Sequence, residues 1–242
     1  SEAMILAKEE GVLAGIDVAE RVFHKIDPSI VFKKNLNDGQ KFRKGQTLAT
    51  IQGSSISLLK GERTALNFLQ RMSGIATTTQ KFVRALQGTK TKILDTRKTT
   101  PGLRSLEKYA VRMGGGVNHR FNLSEMVLIK DNHLRIVGSI SQAVKSAKER
   151  IKLGVRVEVE ATSIEEVQEA VQSGADMIML DNMPKEAMKE VVKRVKGKVP
   201  LEVSGKVSLR RVKEIASLGV DFISAGSLTH SYKSVDISIE FL

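Results

Sequence analysis

A short repeat constrains the second half of this chain more than any other feature of its sequence. Ser173-Gly174-Ala175-Asp176-Met177-Ile178 is echoed by Leu218-Gly219-Val220-Asp221-Phe222-Ile223, and each runs from a helix-like stretch through a glycine stop into an apolar run. Further apolar runs begin near Val155 and Val199, so starts at 155, 176, 199 and 220 are spaced by 21, 23 and 21 residues. That is room for one strand and one helix each. The intervening segments are amphipathic. Ser163 opens one with a Ser-x-x-Glu capping pattern, and Pro184 stands where a first helical turn tolerates proline. With the short runs Lys92–Asp95 and Met126–Lys130 there are at least six strands, joined by connections that suit a parallel α/β arrangement. The pattern predicts an incomplete (β/α) barrel over residues 91–231.

Residues 1–90 lack this period and predict a separate N-terminal α+β sandwich domain. Val31 to Gly53 carries the turn signals Asn37-Asp38-Gly39 and Lys44-Gly45 between short alternating runs, as antiparallel strands do. Lys60 to Leu86 reads as a helix with Ala65, Leu66, Leu69, Met72 and Ile75 on its core face. The tail alternates strictly from Val235 to Phe241, so residues 232–242 are expected to return to the N-terminal sheet as a half-buried strand.

Functional groups in parallel α/β folds collect at the carboxyl ends of strands. Here those ends read Asp95-Thr96-Arg97-Lys98, Lys130-Asp131-Asn132-His133, Glu158-Val159-Glu160, Asp181-Asn182, Ser204-Gly205 and Gly226-Ser227. Cations come from the early strands, carboxylates from the middle ones and small residues from the last two. This order suits an organic anion, a metal and a phosphate in turn. Residues 92–135 hold nine Lys and Arg against four carboxylates, with Thr99-Thr100-Pro101-Gly102 and Gly114-Gly115-Gly116 as loop formers, and predict converging loops. The chain carries a formal charge of +12, which points to anionic partners. Nucleic acid ranks low among these, because aromatic residues are 4% with no Trp and no recognition motif is present. No apolar run reaches the roughly 20 residues of a membrane span. With no Cys there is neither a thiolate metal site nor a disulfide, which fits a reducing, cytoplasmic setting. Glu186-Ala187-Met188-Lys189 resembles a biotin attachment motif but lies inside a predicted helix. Lys130 at a strand end also suits a Schiff base, a minority alternative.

The string Asp95-Thr96-Arg97-Lys98-Thr99-Thr100-Pro101-Gly102-Leu103-Arg104 resembles the quinolinate phosphoribosyltransferase family, also called nicotinate-nucleotide pyrophosphorylase (carboxylating). The likeness continues through Glu107-Lys108-Tyr109-Ala110, Asn118-His119-Arg120 after the glycine triplet, and Leu128-Ile129-Lys130-Asp131-Asn132-His133. Family-like blocks also occur at Ala7–Gly15, Glu62–Asn67 and Leu228–Ser231, so the resemblance spans nearly the whole chain. It implies transfer of a phosphoribosyl group from phosphoribosyl pyrophosphate to quinolinate, then decarboxylation to nicotinate mononucleotide in NAD synthesis. A related group linked to molybdenum transport shares the fold and is the runner-up.

By this resemblance Thr96, Arg97, Lys98, His119 and Arg120 hold quinolinate, joined by Arg63 from the partner subunit of a homodimer or higher homo-oligomer. Lys130, Glu160 and Asp181 form the catalytic set. Lys98 and these three face ribose and phosphates, and Glu160 and Asp181 are expected to hold Mg2+ directly or through water. Ser204, Gly205, Lys206, Ala225, Gly226, Ser227 and His230 are expected at the phosphate. The implied mechanism is displacement at the anomeric carbon through an oxocarbenium-like state, with no protein nucleophile. Lys206 stands where the family usually has Gly, and Ser227 where it often has Ala. Family members carry a further segment ahead of the Ala7-Lys8 block, so one is expected upstream of Ser1.

Overall fold

The computed structural model describes residues 1–195 and 197–242, which divide into two compact units. The first comprises Ser1–Val83, Lys98–Val117 and Ser227–Leu242. The second comprises Arg84–Arg97 and Asn118–Gly226. The sequence division at residue 90 therefore differs in detail, since the segment 98–117 and residues 227–231 group with the first unit.

The first unit contains strands β1 (Glu2–Ala7), β2 (Gly11–Val12), β3 (Val31–Lys34), β4 (Lys41–Phe42), β5 (Thr47–Gln52) and, far along the chain, β12 (Ile237–Phe241). Its helices are α1 (Ile16–Ile26), α2 (Ser55–Ala85, continuing into the second unit), α3 (Arg104–Met113) and the single turn α9 (Ser227–His230). The main sheet has the order β12-β1-β5-β3, and β2 and β4 make a separate pair. The alternating tail does return: β12 runs antiparallel to β1, with Ala3 opposite Phe241 and Ala7 opposite Ile237. Phe23 of α1 and Leu58 and Ala65 of α2 bury their side chains with Ala3, Ile30 and Ile51. A second cluster joins Ile5, Leu48, Leu66 and Leu69 to Val235 and Ile237.

Gly74 marks where α2 meets the returning tail. A Cβ there would lie 2.4 Å from the Lys233 carbonyl oxygen, a rigid backbone atom. Gly74→Ala is expected to cost about 1–3 kcal/mol through overpacking. A thermal midpoint unchanged from wild type would refute this reading. The same unit also orders the loop that follows Lys98. The fully buried Glu107 carboxylate accepts hydrogen bonds from Arg71 Nε (3.2 Å) and Nη2 and from the Thr100 backbone N–H (3.2 Å). Arg104 Nε donates to Thr99 Oγ1 at 3.0 Å. Part of the segment expected as loops is thus the helix α3, whose buried face carries Glu107, Lys108, Ala110 and Val111.

The second unit contains β6 (Lys92–Leu94), β7 (Met126–Ile129), α4 (Asp131–Val137), α5 (Ile140–Arg150), β8 (Arg156–Ala161), α6 (Ile164–Gln172) and β9 (Met177–Asp181). It continues through α7 (Lys185–Val195), β10 (Leu201–Ser204), α8 (Leu209–Ser217) and β11 (Phe222–Ser224). Its six strands are parallel in the order β6-β11-β10-β9-β8-β7. All six strands expected from the sequence are present, and β6 and β7 stay unpaired with each other among the described residues, so the parallel sheet is not a closed barrel.

The repeated motif has a structural reason. Asp176 Oδ2 accepts the Val157 N–H at 2.7 Å, and Asp221 Oδ2 accepts the Leu201 N–H at 2.9 Å. Each aspartate ties the start of its own strand to the strand before it. At the helix that follows β8, Ser163 Oγ accepts the Glu166 N–H at 3.1 Å while the Glu166 carboxylate reaches back to the Thr162 N–H at 2.6 Å. The capping pattern read from sequence is formed, with its return bond one residue earlier than the usual box. No described helix is long and apolar enough to cross a membrane.

Candidate active site

The second unit brings its polar groups to the carboxyl ends of its strands. Just past β6, Asp95 is fully buried and accepts the His119 backbone N–H at 2.8 Å and the Asn118 side-chain amide at 2.5 Å. One carboxylate therefore pins the His119-Arg120 segment to the end of a strand. Arg120 Nη1 donates to the Met126 carbonyl at 2.8 Å, which anchors the guanidinium beside β7. Burial lowers the Arg120 pKa first, repulsion from Arg97 lowers it further, and attraction to Glu158 works the other way. Two guanidiniums are thus held close enough to repel. Thr96 is partly exposed and Arg97 exposed just beyond β6.

His119 is tied at the ring as well. Nε2 lies 3.0 Å from Glu158 Oε2 and 3.3 Å from Glu202 Oε2, while Nδ1 accepts the Arg120 backbone N–H at 2.8 Å. Burial opposes charge on this ring, and the Glu158 and Glu202 carboxylates outweigh it, raising the pKa to about 9. While Nδ1 accepts from Arg120 the neutral ring carries its proton on Nε2, and the two carboxylates favour a second proton that must displace the Arg120 contact to enter at Nδ1. Glu158 is itself raised, by burial first, with His119 pulling the other way and Glu202 adding to the rise.

Lys130 stands at the end of β7 and begins α4, where its backbone N–H donates to His133 Nδ1 at 3.0 Å. Its Nζ bonds Glu160 Oε2 at 2.7 Å across to β8, so two residues expected in catalysis are in direct contact. Asp181, at the end of β9, accepts from the Asn182 amide at 2.8 Å. Glu160 and Asp181 offer only oxygen ligands on neighbouring strands, and this donor set fits Mg2+, which keeps waters and shares substrate oxygens. His119, Glu158 and Glu202 also have ligand atoms within 4.8 Å of one another. They fit a metal poorly, because a ligating histidine offers a bare nitrogen to the ion and donates from the other, the reverse of what His119 does.

Ser204 ends β10, Gly205 and Lys206 follow it, and the three line a cavity of about 290 Å3 with Asn182, Met183 and Arg211. Gly205 has φ +89°, and a Cβ on it would lie 2.3 Å from Asn182 Oδ1, so any side chain there would be strained and would push the Asn182 amide aside. Lys206 adopts the left-handed region at φ 47° without being glycine. Lys206→Gly is therefore expected to stabilise the fold by about 1 kcal/mol. A fall in thermal midpoint would contradict that strain. Ala225 and Gly226 follow β11, and the Ala225 N–H bonds the Leu94 carbonyl at 3.0 Å.

Four further expected residues belong to the first unit. Arg63 is exposed on α2. The Lys98 carbonyl accepts from Thr229 Oγ1 of α9 at 2.8 Å. Ser227 opens α9, and His230 closes it with Nδ1 2.6 Å from Ser231 Oγ.

Sequence reasoning placed Asp95 and Glu158 among the polar strand ends but tied neither of them, nor Asn118 or Glu202, to His119, which these groups surround. The signal available was the two-residue spacing of Glu158 from Glu160 and of Glu202 from Ser204, which puts each pair on one face of its strand.

An open parallel sheet whose strand ends carry guanidiniums, a lysine–carboxylate pair and a glycine-dependent turn defines an α/β enzyme for anionic, phosphorylated substrates. The chain belongs to the quinolinate phosphoribosyltransferase family: residues 1–73 match the family's N-terminal domain and residues 75–240 its C-terminal domain. It is 45% identical over 239 residues to a probable nicotinate-nucleotide pyrophosphorylase [carboxylating] of Bacillus subtilis, covering 99% of this chain and 83% of that one. It is 43% identical over 258 residues to a mitochondrial quinolinate phosphoribosyltransferase [decarboxylating] of Nicotiana tabacum, covering 99% and 73%. Among solved structures, NadC of Streptococcus pyogenes superposes with a TM-score of 0.96 at 44% identity, over 99% of this chain and 85% of that one.

Proposed function

We propose that this chain transfers the phosphoribosyl group of phosphoribosyl pyrophosphate to the ring nitrogen of quinolinate, with loss of carbon dioxide to give nicotinate mononucleotide for NAD synthesis. The observation that carries the reading is the His119-Arg120 segment, pinned to the strand end by Asp95, with the Arg120 guanidinium anchored on the Met126 carbonyl and Arg97 standing just beyond β6. A planar dicarboxylate suits such a set, because guanidinium forks match it with paired hydrogen bonds. Thr96, Lys98 and His119 complete the recognition set.

In the reaction the pyridine nitrogen attacks the anomeric carbon as the bond to pyrophosphate breaks, and positive charge builds on the ribose. Glu160 and Asp181 stabilise that charge, while Lys130 meets the departing pyrophosphate. Mg2+, held by Glu160 and Asp181 directly or through water, supplies neutralising charge to the phosphates when bound. The carboxylate beside the ring nitrogen then leaves as carbon dioxide, the pyridinium accepts the electron pair, and a proton fills the carbon. Ser204, Gly205, Lys206, Ala225, Gly226, Ser227 and His230 hold the 5-phosphate. Purified protein with both substrates and magnesium is expected to form nicotinate mononucleotide and pyrophosphate, and to leave nicotinate unused. A folded, inactive protein would refute the assignment.

We assign the enzyme to the cytoplasm, as a homodimer with shared sites. Support for the dimer comes from α2, where Ile56 (64% exposed) and Leu59 (59%) share a stripe with Arg63 at helical spacing. Arg63→Ala and Lys130→Ala, each strongly impaired alone, are expected to regain activity when mixed, because hybrid dimers restore one intact site. Hybrids that form yet stay inactive would rule out the shared site.

A further inference from the structure

We infer that Glu158 and Glu202 are positioning residues, which hold the His119 ring from within the sheet and thereby place Arg120 for its substrate. The inference rests on the functional reading above for the identity of that substrate. Both residues lie one layer below the strand ends, Glu158 two residues before Glu160 on β8 and Glu202 two before Ser204 on β10. Alternation puts each on the same face as the group at the rim.

Both side chains are fully buried. Among the described residues Glu158 Oε1 and the Glu202 oxygens make no well-formed hydrogen bond, and His119 Nε2 is approached by both carboxylates, by Glu158 Oε2 at 3.0 Å and by Glu202 Oε2 at 3.3 Å. Two carboxylates sharing one donor are a poor way to stabilise a core, since apolar residues of similar size serve packing better. What they do achieve is a fixed ring. The His119 N–H is held by Asp95, Nε2–H by Glu158, and Nδ1 by the Arg120 backbone N–H. Through that last bond the ring orientation is passed to Arg120, whose side chain is anchored on the Met126 carbonyl. Loss of the inner carboxylates frees the ring to turn and unfixes the backbone from which Arg120 projects.

The test uses full-length Glu158→Leu, Glu158→Gln and Glu202→Leu. The leucine variants are expected to keep the wild-type thermal midpoint or exceed it, to raise the quinolinate KM about tenfold, and to leave the phosphoribosyl pyrophosphate KM unchanged. Glu158→Gln keeps an acceptor for Nε2–H and is expected to restore most of the quinolinate affinity. Folded leucine variants with wild-type KM values for both substrates overturn the proposal, as does an equal rise in both KM values. Should the leucine variants not fold, nitrogen-detected NMR of the His119 ring in the wild-type protein decides. A slowly exchanging proton on Nε2 is expected, and an unprotonated Nε2 or exchange at the solvent rate overturns the proposal. A wild-type enzyme silent toward quinolinate would sink the functional reading alone, while the ring measurement still tests the positioning.

Discussion

Replacing Arg120 by alanine is expected to lower kcat/KM for quinolinate by about 100-fold, the loss of roughly 2–3 kcal/mol from a paired, charge-assisted contact. The guanidinium sits in a partly dry site with one amine fixed on the Met126 carbonyl, so its fork is already oriented before substrate arrives. Little rotamer freedom is lost on binding, which is why the deletion is expected to exceed that of an exposed arginine. Arg120→Lys restores charge without the planar fork and should recover only part of the loss. Folding should change little, because the side chain is only half-buried and the Asp95 bond to the His119 backbone N–H stays in place. Steady-state kinetics with wild-type constants would show that the dicarboxylate binds elsewhere.

Lys130→Ala is expected to reduce kcat by about 100- to 1000-fold, as losing one preorganised group at a site of developing charge does. Nζ is held 2.7 Å from Glu160 Oε2, so it reaches the reaction already aimed and carries no cost of reorganisation. The same deletion leaves Glu160 without its cation, and part of the loss comes from a carboxylate that can rotate away from the ribose. Nearly half of the Lys130 side-chain surface is exposed, so the thermal midpoint should stay close to wild type. A variant that keeps kcat and changes only a KM would reassign Lys130 to ground-state binding.

The parallel strands were legible because each follows a glycine stop, and the repeated aspartates Asp176 and Asp221 prove to be the bonds that join neighbouring strands. The strictly alternating tail was legible for the same reason, since one face of β12 is buried on β1. Helix α1 was not: it starts after Gly15 in the left-handed region, with no side-chain cap from that residue, and its N-terminal N–H groups at Gly15 and Ile16 go to Asp38, more than twenty residues on. Long-range caps leave no local signature. The rim of the site could be read from residue types at strand ends, where Lys130, Glu160 and Asp181 stand in order. Its inner layer could not, because Glu158 and Glu202 acquire meaning only when three separated segments place His119 between them.

The pairing of β1 with β12 joins residues 3–7 to residues 237–241. During synthesis the second unit is complete once Gly226 has emerged, whereas β1 has no partner on that edge until residues 237–241 leave the ribosome. Its edge must wait, exposed, for more than two hundred residues to be made, a span in which a bare strand invites pairing with other chains. Deleting residues 237–241 should accordingly harm yield far more than the size of the deletion suggests.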